Sequence, residues 1–108
     1  MSSIEYNKII RDKIPEIIMK SSKTPIFRHA EGEELLNLLN IKLQEELNEY
    51  NESGEIEELA DLYEVVLAIL DFKGVSVTEF ERIRLEKRDK RGAFKKGLVL
   101  EKVIEETE

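Results

Sequence analysis

The sequence predicts a mainly α-helical protein built around an antiparallel helical hairpin. Two long amphipathic stretches carry apolar residues at helical spacing and flank Gly54: one covers about Gly32–Ser53, and the other runs to Phe72 or Lys73. Glycine at such a position ends a helix readily because it adopts left-handed backbone angles. With 108 residues, the chain is expected to form one domain over residues 1–108.

The segments before the hairpin predict one short helix and one short strand. Apolar residues at helical spacing indicate a first helix over about Asp12–Lys20, where Pro15 is tolerated only near the start. The apolar stretch Pro25–Ala30 is bounded by residues that break helices, which favours a strand. A second strand is expected over Leu98–Ile104, and the two could pair as a small two-stranded β ribbon.

The hairpin and the helix after it have clear end signals. The second helix should cover about Gly32–Ser53, and the third should run to Phe72 or Lys73, just before Gly74. Ser76 and Glu79 have the spacing of a capping box, so a fourth helix is expected from Val77 to about Arg91.

The third helix is apolar around most of its circumference. Between Leu62 and Leu70 only Glu64 is charged, which is more apolar surface than one neighbouring helix can cover. Either the first and fourth helices wrap around it, or a second chain covers it and two hairpins form a four-helix bundle. We favour the second arrangement, in which Val65, Val66 and Ile69 are partly buried by another copy.

Charge and composition exclude several classes of partner. The net charge of −7 argues against binding a nucleic acid polymer, because such binding depends mainly on lysine and arginine contacts to phosphates. The sequence contains no cysteine and no amino-terminal signal segment, and its longest apolar run is only Val65–Leu70. A soluble, cytoplasmic protein without a membrane partner is expected.

Four carboxylates lie in mirror order about the turn. Glu46 and Glu49 precede it, and Glu58 and Asp61 follow it. The two members of each pair are three positions apart, so they share one face of their helix. With 24 acidic residues in the chain, a single pair is weak evidence, because glutamate is common on solvated helix faces. The mirrored set is stronger, since four converging negative charges would repel one another without a cation. Oxygen ligands favour Mg²⁺, with Mn²⁺ as the chemical alternative.

Basic residues are the candidates for binding an anionic substrate. Lys87 and Arg91 belong to a basic cluster near the end of the fourth helix, and Arg11 and Lys13 are weaker candidates. The alternative interpretation is a solvated helix end whose cations complement the helix dipole. His29 is interpreted as structural. The chain shows no Ser/His/Asp constellation, so metal-activated water fits better than a side-chain nucleophile.

The runs KLQEELNE (residues 42–49) and EELAD (57–61) resemble the EExxE and ExxD motifs of MazG-like all-α nucleoside triphosphate pyrophosphatases. The opening YNKIIRDKIPEII and the closing KRDKRGAFKKGLVLEKV are similar to the ends of a phosphoribosyl-ATP pyrophosphohydrolase-like branch. The resemblance implies Mg²⁺-dependent hydrolysis between the α and β phosphates, releasing a nucleoside monophosphate and pyrophosphate. It also implies a homodimer or homotetramer.

Carried over by position, the resemblance makes Glu46, Glu49, Glu58 and Asp61 the metal ligands. Only residues 50–57 separate Glu49 from Glu58, a shorter stretch than in many members, which suits a tight hairpin. Glu45 is a candidate for orienting the attacking water or binding a second ion, with plain solvent exposure as the alternative. Noncanonical nucleotides are candidate substrates. The competing functions are phosphoribosyl-ATP hydrolysis in histidine biosynthesis and a noncatalytic helical module that binds metal or a partner.

Overall fold

The computed structural model describes residues 2–107 and is mainly helical. Its helices are α1 (Ile14–Lys20), α2 (Gly32–Ser53), α3 (Ile56–Phe72) and α4 (Val77–Arg91). The chain groups into two compact units, one ending at Val75 and the other beginning at Ser76. The prediction of a single domain over residues 1–108 stays a prediction.

The helices α2 and α3 pack together as the predicted hairpin. Gly54 has φ +66° at the end of α2, and its N–H donates to the Tyr50 carbonyl oxygen at 2.8 Å. Glycine meets this requirement without the steric penalty of a side chain, so the turn is short and the helices return antiparallel. Leu39 and Val65 are buried in the hairpin, together with Glu46.

The amino-terminal unit also contains α1 and an irregular segment before it. Pro15 lies in the first turn of α1, as predicted, although the helix begins at Ile14 rather than at Asp12. Asp12 and Lys13 instead form a turn, and the Ile14 N–H donates to the Arg11 carbonyl oxygen at 3.1 Å. Ile9, Ile14 and Ile18 are half-buried.

The carboxyl-terminal unit contains α4, whose bounds match the prediction. The Ser76 hydroxyl accepts a hydrogen bond from the Glu79 N–H at 3.1 Å, which confirms the predicted cap. Ion pairs one turn apart, such as Arg84 with Glu81 at 2.8 Å, run along the helix surface.

The predicted β ribbon is not formed. Residues 25–30 and 98–104 have no regular secondary structure, and residues 2–107 contain no strand. Ile26 is 97% exposed, and Leu98 and Val99 are similarly open to solvent. A two-stranded ribbon is only marginally stable without a third element to pack on, and short apolar runs alone do not supply one.

The single chain leaves much of its apolar surface uncovered. Of the residues predicted to face a second copy, Val65 is already buried within one chain, whereas Val66 and Ile69 are half-buried. Tyr63 is 45% exposed on the same helix. The four-helix bundle and the dimer therefore stay predictions. Within the part of the chain that the structure describes, none of the helices is both long and apolar enough to cross a membrane.

Candidate metal centre

The hairpin brings acidic side chains from both helices together. Glu46 of α2 and Glu58 and Asp61 of α3 each offer a carboxylate oxygen, and these three oxygens lie within 4.8 Å of one another. Glu46 is buried, and the other two are half-buried. The short turn at Gly54 sets this arrangement, because it aligns the last turns of α2 with the first turns of α3.

Glu46 is the least solvated member of the cluster. Its side chain is 8% exposed, and its Oε1 lies 3.4 Å from the Lys42 Nζ. Its Oε2 is buried without a hydrogen-bond partner. Burial raises the pKa of the Glu46 carboxyl, and the nearby charge of Glu49 acts in the same direction, while Lys42 opposes both. A buried carboxylate oxygen without a partner is energetically unfavourable, and a bound cation would satisfy it.

Glu49 is exposed, and it is not one of the three residues whose carboxylate oxygens lie within 4.8 Å of one another. Its effect is seen on Glu58: partial desolvation raises the pKa of the Glu58 carboxyl, and the charges of Glu49 and Asp61 raise it further. Glu49 therefore adds negative charge next to the site.

Cations from the amino-terminal segment contact the same edge of the hairpin. Arg11 Nη2 donates to Asp61 Oδ1 at 2.8 Å, and Lys8 Nζ donates to Glu45 Oε1 at 3.0 Å. Lys42 Nζ donates to the same Glu45 oxygen at 3.2 Å. The hydrogen bond from Lys8 lowers the pKa of the Glu45 carboxyl, and the same contact raises the pKa of Lys8. Glu45 is thus half-buried and held by two lysines.

The other predicted substrate-binding residues lie elsewhere in the chain. Lys13 immediately precedes α1 and is exposed. Lys87 and Arg91 are exposed on α4, in the carboxyl-terminal unit. Their contacts with phosphate stay predictions, whereas the structure brings Arg11 to the carboxylates.

Lys8 and Lys42 were not predicted from the sequence to belong to the site. The signal for Lys42 is its spacing, because residues three and four positions apart on a helix are neighbours and Lys42 precedes Glu45 and Glu46 at those distances. Lys8 has no such signal, since it reaches Glu45 from an irregular segment far away in sequence.

The donor set fits a hard divalent cation. Glu46, Glu58 and Asp61 supply only oxygen, which suits Mg²⁺ or Mn²⁺ and offers no soft ligand for other transition metals. The three carboxylates come from two helices, so an ion held between them would leave coordination positions for water and phosphate oxygens. Such a site is able to assist hydrolysis of a phosphoanhydride bond.

Comparisons with protein-family models, with characterised proteins and with solved structures found no match to this chain. The resemblance to MazG-like pyrophosphatases therefore stays a prediction from the motifs.

Proposed function

We propose that the protein is a Mg²⁺-dependent nucleoside triphosphate pyrophosphohydrolase that releases a nucleoside monophosphate and pyrophosphate. The observation that carries the proposal is the buried, unpartnered Oε2 of Glu46 in a carboxylate cluster that also contains Glu58 and Asp61. Exposed acidic groups are common, but a buried carboxylate oxygen without a protein partner is not, and a bound cation would supply that partner. Noncanonical nucleotides and a cytoplasmic location are part of the proposal.

In this proposal the hairpin supplies the ligands. Glu46, Glu58 and Asp61 would hold the ion, and Glu49 would join them from the next turn of α2. When bound, Mg²⁺ would supply neutralisation of the charge on the phosphates and activation of a water molecule, and Mn²⁺ could replace it. The net charge of −7 makes a cation all the more necessary for an anionic substrate.

Glu45 is the proposed residue for orienting the attacking water. Both lysine contacts use its Oε1, at 3.0 Å from Lys8 and 3.2 Å from Lys42. These contacts fix the carboxylate and keep it ionised, which a group that accepts a hydrogen bond from water requires.

We also propose that the active form is a homodimer or homotetramer. A stripe of apolar residues runs along α3 with the alternating three- and four-residue spacing found where two helices pack together. It consists of Ile56, Leu59, Tyr63, Val66 and Leu70. Leu59 is 39% exposed and Ile56 is 77% exposed, so a single chain leaves the stripe open. Two such stripes would build a four-helix bundle from two hairpins.

The nucleotide pocket would also need the second chain. A depression of about 440 Å³ lies beside Glu45 and Glu49, and all the residues that line it belong to α2. The surface of one helix does not enclose a base, because binding pockets are concave and bury most of their ligand. The outer face of a partner's helix would provide the opposite wall.

The function is tested with the purified full-length chain and a panel of canonical and noncanonical nucleoside triphosphates that includes phosphoribosyl-ATP. We expect Mg²⁺-dependent formation of pyrophosphate and a nucleoside monophosphate, and no product in excess chelator. Preference for phosphoribosyl-ATP would favour the histidine-biosynthesis alternative. A chain that binds Mn²⁺ but hydrolyses none of the panel would favour the noncatalytic module.

A further inference from the structure

The amino-terminal segment places two cations against the carboxylate site, one on each helix of the hairpin. Lys8 contacts Glu45 of α2, and Arg11 contacts Asp61 of α3. The segment between them is irregular, and Ile9 is half-buried within it. The same short segment therefore reaches both sides of the site through side chains of one charge sign.

The distribution of these cations among the carboxylates is uneven. Lys8 and Lys42 both pair with Glu45, Lys42 also pairs with Oε1 of Glu46, and Arg11 pairs with Asp61. Among residues 2–107, ion pairs reach neither Glu49 nor Glu58. Arg11 is thus the one cation in contact with a carboxylate of α3 at this site.

We propose that Arg11 is the internal counter-ion of the metal centre and that it exchanges partners. In the cation-free protein its guanidinium neutralises Asp61; when a divalent cation binds Glu46, Glu58 and Asp61, Arg11 leaves that carboxylate and binds the phosphates of the substrate. This inference rests on the proposed function and assigns Arg11 a positioning role within it.

The geometry makes the exchange easy. The Arg11 side chain is 56% exposed and the Asp61 side chain is 41% exposed, and ion pairs with this exposure contribute little to stability. A divalent cation held by three carboxylates is a stronger partner for Asp61 than a solvated guanidinium. Ile9 and Ile14, on either side of Arg11 in the sequence, are half-buried.

The chemistry of the guanidinium suits its second partner. Arginine presents a planar set of N–H donors that matches phosphate as well as carboxylate geometry, and it remains charged at any physiological pH. Phosphates held at the site would offer the released Arg11 a new anionic partner. Arg11 would therefore pair with Asp61 in the cation-free protein and with the substrate phosphates when cation and substrate are bound.

The first test measures Mn²⁺ binding without nucleotide, by titration followed through the electron paramagnetic resonance signal of free Mn²⁺. Arg11→Gln removes a competitor for Asp61, and we expect Mn²⁺ affinity to rise about two- to five-fold, in keeping with the small contribution of an exposed pair. Lys20→Gln is the matched control: it removes the same charge from the exposed end of α1, where Lys20 contacts no carboxylate of the described residues. Its affinity should equal that of wild type.

The second test measures binding of inorganic pyrophosphate by calorimetry at a fixed, saturating concentration of free Mn²⁺. Arg11→Gln should weaken pyrophosphate binding about three- to ten-fold, and Arg11→Lys should recover part of the loss because it restores charge without the planar donor set. Circular dichroism establishes that each variant is folded. Opposite changes in the two titrations are the signature of a partner exchange.

The outcomes separate this inference from the proposed function. If wild type and Arg11→Gln bind Mn²⁺ with equal affinity, or if Arg11→Gln binds both Mn²⁺ and pyrophosphate more weakly, the partner exchange is wrong. The proposed metal centre is not contradicted by either result. If wild type binds no Mn²⁺, the proposed function fails and the exchange fails with it.

Discussion

Glu46 of α2 and Asp61 of α3 place carboxylate oxygens within 4.8 Å of each other, across the two helices of one hairpin. Their environments differ sharply. Glu46 is buried with an unpartnered oxygen, whereas Asp61 is half-buried and paired with Arg11. A cation bound between them would find an unpaired oxygen on Glu46, whereas Asp61 is already paired with Arg11.

The first prediction concerns the ligands. Asp61→Asn and Glu49→Gln should each lower Mg²⁺-dependent pyrophosphate release by roughly 10²-fold or more, because each removes a charged ligand while keeping its shape. Pyrophosphate release is measured at matched Mg²⁺. Glu64→Gln is the control, since Glu64 is exposed on α3 and lies outside the cluster. Near-normal rates for both ligand variants would contradict the mechanism.

The second prediction concerns pH. Burial raises the pKa of the Glu46 carboxyl in the folded protein, and desolvation raises that of Glu58 in the same way. Both carboxyls therefore contribute most to the stability of the folded state when the pH is below their ordinary pKa of 4.5. That contribution is lost as the pH rises through their raised folded pKa. The metal-free protein should therefore lose part of its free energy of unfolding as the pH increases above 4.5, and Glu46→Gln should lose less.

The pKa of Glu45 is shifted in the opposite direction from that of Glu46, so the two carboxyls affect stability in different pH ranges. Its folded pKa is lowered by Lys8, so its contribution is present above 4.5 and is lost as the pH falls through the lowered value. Urea denaturation in chelator across this range measures both. A Glu46→Gln variant whose stability follows wild type at every pH above 4.5 would show that the buried carboxylate carries no such penalty.

The hairpin could be predicted from the sequence because its signals are local. Gly54 ends α2, Ser76 caps α4, and the apolar spacing sets the faces between those points. Even the different exposure of Glu46 and Glu49 follows from helical geometry, since Glu46 lies nearer the apolar stripe of α2.

The contacts that the sequence does not predict join distant parts of the chain. Lys8 and Arg11 reach Glu45 and Asp61 from an irregular segment, and no periodicity indicates which carboxylate each would meet. The strand predictions were wrong for a related reason. The apolar-rich segment at residues 98–104 matches a strand locally, but a strand requires a pairing partner that local sequence does not specify.

A third prediction concerns assembly. Wild type should sediment as a dimer or larger species at micromolar concentration, and Tyr63→Lys should shift it toward monomer, because a charge would enter the exposed apolar stripe of α3. Ile17→Lys is the matched control, since Ile17 is 55% exposed on α1, outside the stripe. Sedimentation velocity decides this, with circular dichroism to verify folding. A monomeric wild type would overturn the dimer, and a Tyr63→Lys variant that associates like wild type would place the interface elsewhere.

A fourth prediction separates catalysis from electrostatics at Glu45. If Glu45 orients the attacking water, Glu45→Gln should lower kcat by about 10²-fold or more, as loss of a general base does, while Mn²⁺ affinity changes less than about two-fold. Lys8→Gln removes one of the two lysine contacts and should lower kcat much less, because Lys42 still holds the same oxygen. Steady-state kinetics and Mn²⁺ titration measure the two effects separately. Equal losses of kcat in the two variants would indicate that Glu45 acts only through its ion pair, and a kcat unchanged in Glu45→Gln would remove it from the mechanism.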